Sequence, residues 1–553
     1  MTASGLQPSG RRTHVLLGAL VGLVFMFGTF DVHFFAGTGP RWEHPTPDMV
    51  AYLASTFYYW NDAWRVPLFE LPAMGYPEGG SVVYNDAIPI GALASKIVAS
   101  LTGLRIAHFG PWVVLCAALQ GAFVARLAYL LGNRSLPATT ALVAIVMSLP
   151  IALIRPEHFA LQSHFLLTWA LCVYVEASDG QMRPWGVTTL AALALLVNPY
   201  FFVMVMAILV AAAGIAWSRG VSRSLLLRTT LQTGLVGLAI LFASGYVTWR
   251  DSARMASPGF GTFAWNPATL VLPPVGLWPW GGVARHAAGG GPYEGESYLG
   301  LGVLALLVAA LWVRRYDVPG LLRRHAVLVV VVLMCAAFAA SNRLSFGPWH
   351  IVDLPMTGWM QRTAGILRAS GRFVWPLVYV LALFPALLLM TRLPRRAWVA
   401  ALVVAAVAQT LEMWPMRRLA TAYSRSAEPD VLGQDQFAAW LDGHDRVWQY
   451  PSWFCGGFGR DEAVGHRAVR LETQIQFLAA RRGLPINSAY MARRAKNCDR
   501  EAAEARALQM RDGTLYVFSA DAVASVPRIG EYAATPACRR EPWGVVCSTS
   551  RLR

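Results

Sequence analysis

This chain is short of charge. Asp, Glu, Lys and Arg make up 14% of its 553 residues against 56% apolar ones, and the mean hydropathy is +0.43. Soluble globular chains carry about a quarter charged residues, so a soluble globular protein is excluded and a polytopic membrane protein is expected. Lysine is almost missing, with Lys96 and Lys496 standing among the arginines. The net charge of +16 is therefore an arginine charge. It is scattered through short loops and not gathered in a compact basic domain, which sets nucleic-acid binding aside. No small-residue cleavage site follows the first apolar run, 14–36, and many further runs come after it, so that run reads as a retained first helix behind Arg11 and Arg12. Internal repeats and low-complexity tracts are missing too. No CxxC and no paired histidine accompanies the seven cysteines, which weakens a metal-site reading of them.

What is present is a series of apolar runs. They lie near 14–36, 111–131, 137–154, 160–177, 184–198, 199–217, 228–248, 298–313, 325–341, 373–390 and 397–414. The main ones approach the roughly 20 residues needed to cross a bilayer, and about eleven transmembrane helices are expected. Whether 88–104 also spans, and whether 184–217 is one kinked helix or two broken at Asn198-Pro199, is left open by hydropathy. The arginines favour one answer. With 88–104 as an interfacial helix and a turn at Asn198-Pro199, residues such as Arg126, Arg134, Arg183, Arg219, Arg314, Arg324, Arg392 and Arg396 fall at cytoplasmic ends. The N-terminus is then cytoplasmic, and the segment after the last span is external.

That segment, 415–553, alternates strand-like runs (RVWQYPSW, GTLYVFSA, WGVVCSTS) with helix-like ones, as expected of a small α/β domain. It holds Cys455, Cys498, Cys538 and Cys547, whereas Cys116, Cys172 and Cys335 sit in apolar runs. An even set confined to one polar region points to disulfides and an oxidising compartment; four cysteines allow three pairings. The expected division is 1–414, including the first external loop 37–110, and 415–553.

Chemistry is expected in the external loops. Loop 37–110 carries Asp48, Asp62, Glu70, Glu78 and Asp86 among many aromatics and prolines. Asp48, in PDMVAYLASTFYYW, suits either a helix N-cap or a catalytic carboxylate, and Asp86 suits either a cap for the helix from Ile88 or a second carboxylate. Lys96 can reach water from an interfacial helix. Glu157 and His158 lie in a short external turn where packing at the interface is the alternative to a site role; the same holds for His164. Glu294 and Glu296 flank Gly295 near a run of glycines, as a substrate-closing loop or a plain connector.

At this point the sequence resembles a known group. WNDAWRVP (Trp60 to Pro67), GYPEGGS (Gly75 to Ser81), NDAIP (Asn85 to Pro89), Lys96, RPEHFALQSHF (Arg155 to Phe165), YEGESYLGLG (Tyr293 to Gly302) and RASGRFVWP (Arg368 to Pro376) are similar to a bacterial membrane-protein family of unassigned function within the GT-C superfamily of integral-membrane glycosyltransferases. The resemblance covers the spans; for 415–553 only position corresponds. It implies a GT-C-like enzyme of the bacterial inner membrane with a periplasmic C-terminal domain. Such an enzyme moves a sugar, with inversion, from a polyprenyl-phosphate donor to a glycan, lipid or protein acceptor. Asp48 then matches the general base, with Asp86 in support. Arg368 and Arg372 are candidates for the departing lipid phosphate, and Glu157, His158, Glu296 and Lys96 for substrate contacts. The superfamily often pairs acids in this loop, whereas Met49 follows Asp48 here. No cofactor is implied with certainty, and a divalent metal is left open. Two other classes compete: a transporter or flippase of a lipid-linked glycan, and an assembly protein whose C-terminal domain binds a partner. Charge at one face and the lack of a repeat favour the enzyme over the transporter.

Overall fold

The computed structural model describes residues 10–247, 260–274, 277–278, 292–458, 462–491 and 496–550. The chain forms two compact units. One comprises Met1–Ala36, Phe109–Ile240 and Ala256–Arg425; the other comprises Gly37–His108, Leu241–Met255 and Ser426–Arg553.

The first unit is helical. Four helical stretches among the described residues are long and apolar enough to cross a membrane, Phe109–Leu130, Pro199–Ser218, Arg223–Ala243 and Ser370–Thr391. Two bent pairs, Val318–Arg324 with Ala326–Ala340 and Arg395–Glu412 with Trp414–Arg425, raise the number to as many as six. The protein is thus a multi-pass membrane protein. Several of the eleven expected spans are shorter as helices, for local reasons. The run 137–154 is helical only over Leu136–Met147, because Pro150 cannot donate to the ladder and opens a 3-10 turn instead. The run 298–313 starts at Leu301, after Gly300 at a φ of 81°. The run 184–217 breaks at Asn198, whose side chain accepts from the Tyr200 amide at 2.9 Å and caps the helix Pro199–Ser218. Small residues set one close helix pair: Gly18 and Gly22 of Arg11–Phe27 lie against Gly121 and Ala117 of Phe109–Leu130, where a Cβ at Gly18 would strike the Gly121 carbonyl.

The second unit joins the first polar loop to the C-terminal region. Helix α1 (Pro47–Asn61) is almost wholly buried along its length and packs on α3 (Glu462–Arg482), with Phe57 and Phe477 rings 6.0 Å apart and the Tyr58 hydroxyl donating to the Leu484 carbonyl at 2.7 Å. Helix α2 (Pro89–Thr102) has 14 residues. At 1.5 Å per residue that is roughly 21 Å, short of a hydrocarbon core of about 30 Å. A four-stranded sheet has the order β1 (Arg446–Tyr450), β2 (Thr514–Ser519), β4 (Gly544–Cys547), β3 (Cys538–Glu541), with β1 and β2 parallel and the other pairs antiparallel. The runs read as strand-like in the sequence supply β1, β2 and β4. Helix α4 (Cys498–Arg506) and the segments after it close an apolar core of Leu508, Tyr516, Phe518, Ile529 and Val545. Two disulfides, Cys455–Cys498 and Cys538–Cys547, choose one of the three pairings the sequence allowed.

Candidate active site

The first unit holds a buried ionic cluster built from three of the motifs. Glu294, in a single 3-10 turn, receives a bidentate pair of bonds from Arg372 (Nε to Oε2 2.6 Å, Nη2 to Oε1 2.9 Å) and a third from Arg155 (Nη1 to Oε1 2.6 Å). All three residues are buried, each below one-tenth exposed. Burial by itself pushes the Glu294 carboxyl up, but the Arg372 and Arg155 guanidiniums outweigh it and hold the group down at about 2. Arg155 also lies 3.4 Å from Nε2 of half-buried His158, and the Arg372 guanidinium sits 4.6 Å from the centre of the Tyr200 ring. The glycines of YEGES and RASGRF explain how the strands of chain come so close: a Cβ on Gly371 would lie 2.7 Å from the Gly295 nitrogen and 2.8 Å from the Phe263 carbonyl oxygen.

Glu296, also buried, accepts from the amides of Ser297 (3.1 Å) and Tyr298 (3.0 Å). A cavity of about 10 Å³ lies between Arg155, Gln162, Glu296 and Trp375, the size of a single water site. Arg368 is half-buried, its guanidinium 5.7 Å from the Phe263 ring centre. Glu157 is half-buried in the turn before His158. His164 is not at a surface: it is buried against Phe201, Trp375 and Tyr379.

The second unit holds the loop-one carboxylates. Asp48 does not cap α1; Thr46 does, its hydroxyl 3.5 Å from the Met49 amide. Asp48 sits instead in the first turn, half-buried, where the positive end of the helix dipole favours a carboxylate. Its Oδ1 accepts from the Tyr490 hydroxyl at 2.8 Å. Tyr490 is itself held, its amide donating to Gln476 (2.7 Å) and its ring edge-on to Trp453 at 4.8 Å.

Asp86 does not cap α2 either. The cap position is Ile88, with no side-chain bond, and both Asp86 (φ 50°) and Ile88 (φ 52°) lie in the left-handed region. For a β-branched residue that is a strained conformation worth about 1–3 kcal/mol. Between them the Ala87 carbonyl is bonded to Nε2 of His108 at 2.9 Å. Burial of His108, only partly opposed by that carbonyl, pulls its imidazole down to about 4. Lys96 is buried, with its ammonium 4.1 Å from the Tyr59 ring centre, 4.8 Å from that of Trp64, and 3.3 Å from the Ala63 carbonyl oxygen. Burial lowers its basicity.

The structure therefore gathers Arg155, His158, Glu294 and Arg372 in one unit and Asp48 with Tyr490 in the other. Arg155 and Glu294 carried a signal, since charged residues bordered apolar runs. Tyr490 carried none, because nothing in NSAYMARR distinguishes it locally. The glycines at 289–291 lie outside the described residues.

Comparison with known proteins gives a family. Residues 19–414 match the family described as domain of unknown function DUF6311, and residues 436–539 match the DUF6311 C-terminal domain. The chain belongs to the DUF6311 family. It is a family of unassigned function, as the motifs indicate. No curated protein matches this DUF6311 chain. Among solved structures it is similar, at 12% identity and a TM-score of 0.41, to ArnT from Cupriavidus metallidurans bound to undecaprenyl phosphate, with 97% of each chain covered. It is also similar to the oligosaccharyltransferase AglB from Archaeoglobus fulgidus in complex with an inhibitory peptide and a dolichol-phosphate, at 12% identity and a TM-score of 0.39, covering 86% of this chain. The DUF6311 chain spans 64% of the AglB chain's length. No residue role is carried across from either.

Proposed function

We propose that this protein is a membrane glycosyltransferase that moves a sugar, with inversion, from a polyprenyl-phosphate donor to an acceptor hydroxyl on the outer face of the bacterial inner membrane. The observation that carries the reading is the setting of Asp48. Its carboxylate is released from capping by Thr46, keeps solvent contact, and is oriented through one oxygen by Tyr490. That is the arrangement a general base needs: an acceptor atom held in place within reach of substrate. The acceptor hydroxyl gives its proton to Asp48 as its oxygen bonds to the anomeric carbon, and the bond to the lipid phosphate breaks with the electron pair. A phosphate is a good leaving group at neutral pH, so cations suffice to stabilise it.

Arg372 is engaged with Glu294. We therefore assign it to holding the RASGRF turn in shape and give Arg368, on the same turn, the contact with the lipid phosphate. Asp86 is assigned as the supporting carboxylate beside the base, Glu157, His158, Glu296 and Lys96 to substrate binding, residues 1–414 to the transferase proper and 415–553 to a domain on the same external side. The resemblance of the motifs to the GT-C superfamily supports the reaction class.

The test is transfer of a labelled sugar from synthetic polyprenyl-phosphate donors by purified protein. Asp48→Asn should abolish transfer, and unimpaired transfer by that variant sinks the base assignment. Tyr490→Phe should lower kcat and leave KM for the donor near its wild-type value, because it orients the base without touching the donor.

A further inference from the structure

The second unit carries an open trough of about 480 Å³ that the transferase reading does not use. Its size falls within the roughly 300–1,000 Å³ of small-ligand sites. The lining comes from three places. Tyr76 to Glu78 belong to the first loop, which is tied to the C-terminal region because the amides of Gly75 and Tyr76 donate to the Ile486 carbonyl at 2.9 and 2.8 Å. Arg446 and Trp448 of β1 and Tyr516 of β2 supply the sheet, with Trp448 and Tyr516 as register partners. Helix α4 and the residues just after it, including Gln509 and Arg511, supply the rest.

This lining is braced. Cys498 at the start of α4 is bonded to Cys455. Glu501, buried, accepts from the Ser452 amide (2.7 Å) and hydroxyl (2.6 Å) and pairs with Lys496 at 2.8 Å. Asn497 caps the helix by accepting from the Arg500 amide. A ligand here meets a wall that is already ordered, which reduces the entropy cost of binding.

The chemistry of the lining selects the ligand. Arg500 is paired with Glu504 at 2.9 Å and Lys496 with Glu501, whereas the exposed guanidiniums of Arg446 and Arg511 have no ion-pair partner among the described residues. Arg446 lies over the Tyr76 ring at 5.7 Å, and the Tyr76 side chain is 42% exposed. Trp448 is half-buried and stacks with Tyr450 at 5.9 Å. Two aromatic side chains, amide groups from Asn487, Asn497 and Gln509, and two guanidiniums with no ion-pair partner among the described residues suit a sugar ring that also bears an anionic group.

An extended peptide fits less well. The outer edge of β1 is already taken by the Pro485–Ile486 segment, whose Pro485 carbonyl accepts from the Val447 amide at 2.9 Å, so no strand can be added there.

We infer that this trough is a binding site for an acidic saccharide, whose pyranose faces stack on Tyr76 and Trp448 and whose carboxylate or phosphate substituents pair with Arg446 and Arg511. On the transferase reading, on which this last step rests, the saccharide is the acceptor glycan.

The experiment is calorimetric titration of the full-length purified protein, with no donor present, using hexagalacturonate and, as a neutral control, maltohexaose. Hexagalacturonate should bind more tightly than maltohexaose and weaken as salt rises. The Arg446→Gln/Arg511→Gln double variant and Tyr76→Ala should each lose about tenfold or more in affinity, whereas Tyr76→Phe keeps it. All three positions are at the surface or in the open trough, and a wild-type melting temperature in each variant certifies the fold. Failure of hexagalacturonate to bind, equal binding of maltohexaose, or wild-type affinity in the double variant overturns the inference. Because no transfer is read, a negative result here leaves the Asp48 chemistry standing, and a failed transfer assay leaves this site standing.

Discussion

Replacing Glu294 by Gln removes one negative charge from between two buried guanidiniums. The side chain keeps its shape, so the change is electrostatic: Arg155 and Arg372 lose their shared counter-charge where water cannot replace it. The Arg372 and Arg155 guanidiniums hold the Glu294 carboxyl down at about 2 in the folded chain, and breaking a buried ion pair from one side costs roughly 3–5 kcal/mol. In a thermal melt of the detergent-solubilised protein the variant should unfold at least about 5 °C lower, taking about 2 °C per kcal/mol for a large domain. Two further readouts isolate the cause. Adding Arg372→Met should recover part of the loss, since the second change removes one of the two stranded cations. The acid limb of the stability profile should also change. A carboxyl with a depressed folded value stabilises fully above its unfolded value and loses that contribution as pH falls from about 4.5 towards 2. Wild-type protein should therefore lose stability across that window, and Glu294→Gln should lose less. A variant that melts with wild type, or an acid limb identical in both, refutes the reasoning.

Other outcomes follow from the same geometry. Thr46→Ala should cost about 1 kcal/mol of stability by uncapping α1, whereas Asp48→Asn should leave the melting temperature within a degree or so of wild type, because Asp48 is not the cap. Equal destabilisation by both would return Asp48 to a structural role. His108 is buried with its imidazole at about 4; its unfolded form takes a proton from 6.5 downward, so stability falls as pH drops from about 6.5 to 4, and His108→Gln should flatten that part of a melting-temperature profile. The disulfides should differ in worth. Cys455–Cys498 closes a separation of 43 residues and Cys538–Cys547 one of 9, so loop entropy gives about 4 and about 2.7 kcal/mol respectively. Double serine variants measured by denaturant unfolding should rank in that order.

Legibility in the sequence followed the range of the interaction. Asn198-Pro199 was readable as a break because a proline and its cap act within three residues. The strands β1, β2 and β4 were readable because short aromatic and β-branched runs fit a pleated surface wherever they pair. Helix lengths in the first unit were less so: hydropathy reports the solvent a segment prefers, and it continues through Pro150 and Gly300, where the backbone ladder stops. The roles of charged residues were the least readable. Asp48 and Asp86 both stood near helix starts, yet which side chain caps depends on which has its oxygen over the free amides, and that choice fell to Thr46 in one case and to no side chain in the other. Glu294 looked like part of a glycine-rich connector because its two arginine partners lie 139 and 78 residues away in sequence.

The same distance effect bears on the two arginines of RASGRF. They are four residues apart and equivalent by composition, and only the fold separates them. Arg372 is sealed against Glu294 and Tyr200, while Arg368 remains half-buried beside Phe263. A guanidinium already making a bidentate carboxylate bond, as Arg372 does, would have to break it to hold a phosphate, at a cost of roughly 3–5 kcal/mol. If phosphate binding belongs to this turn, substitution at 368 should therefore raise KM for a lipid-phosphate donor with the melting temperature little changed, and substitution at 372 should lower the melting temperature first. The opposite pattern would mean that Glu294 releases Arg372 when substrate arrives.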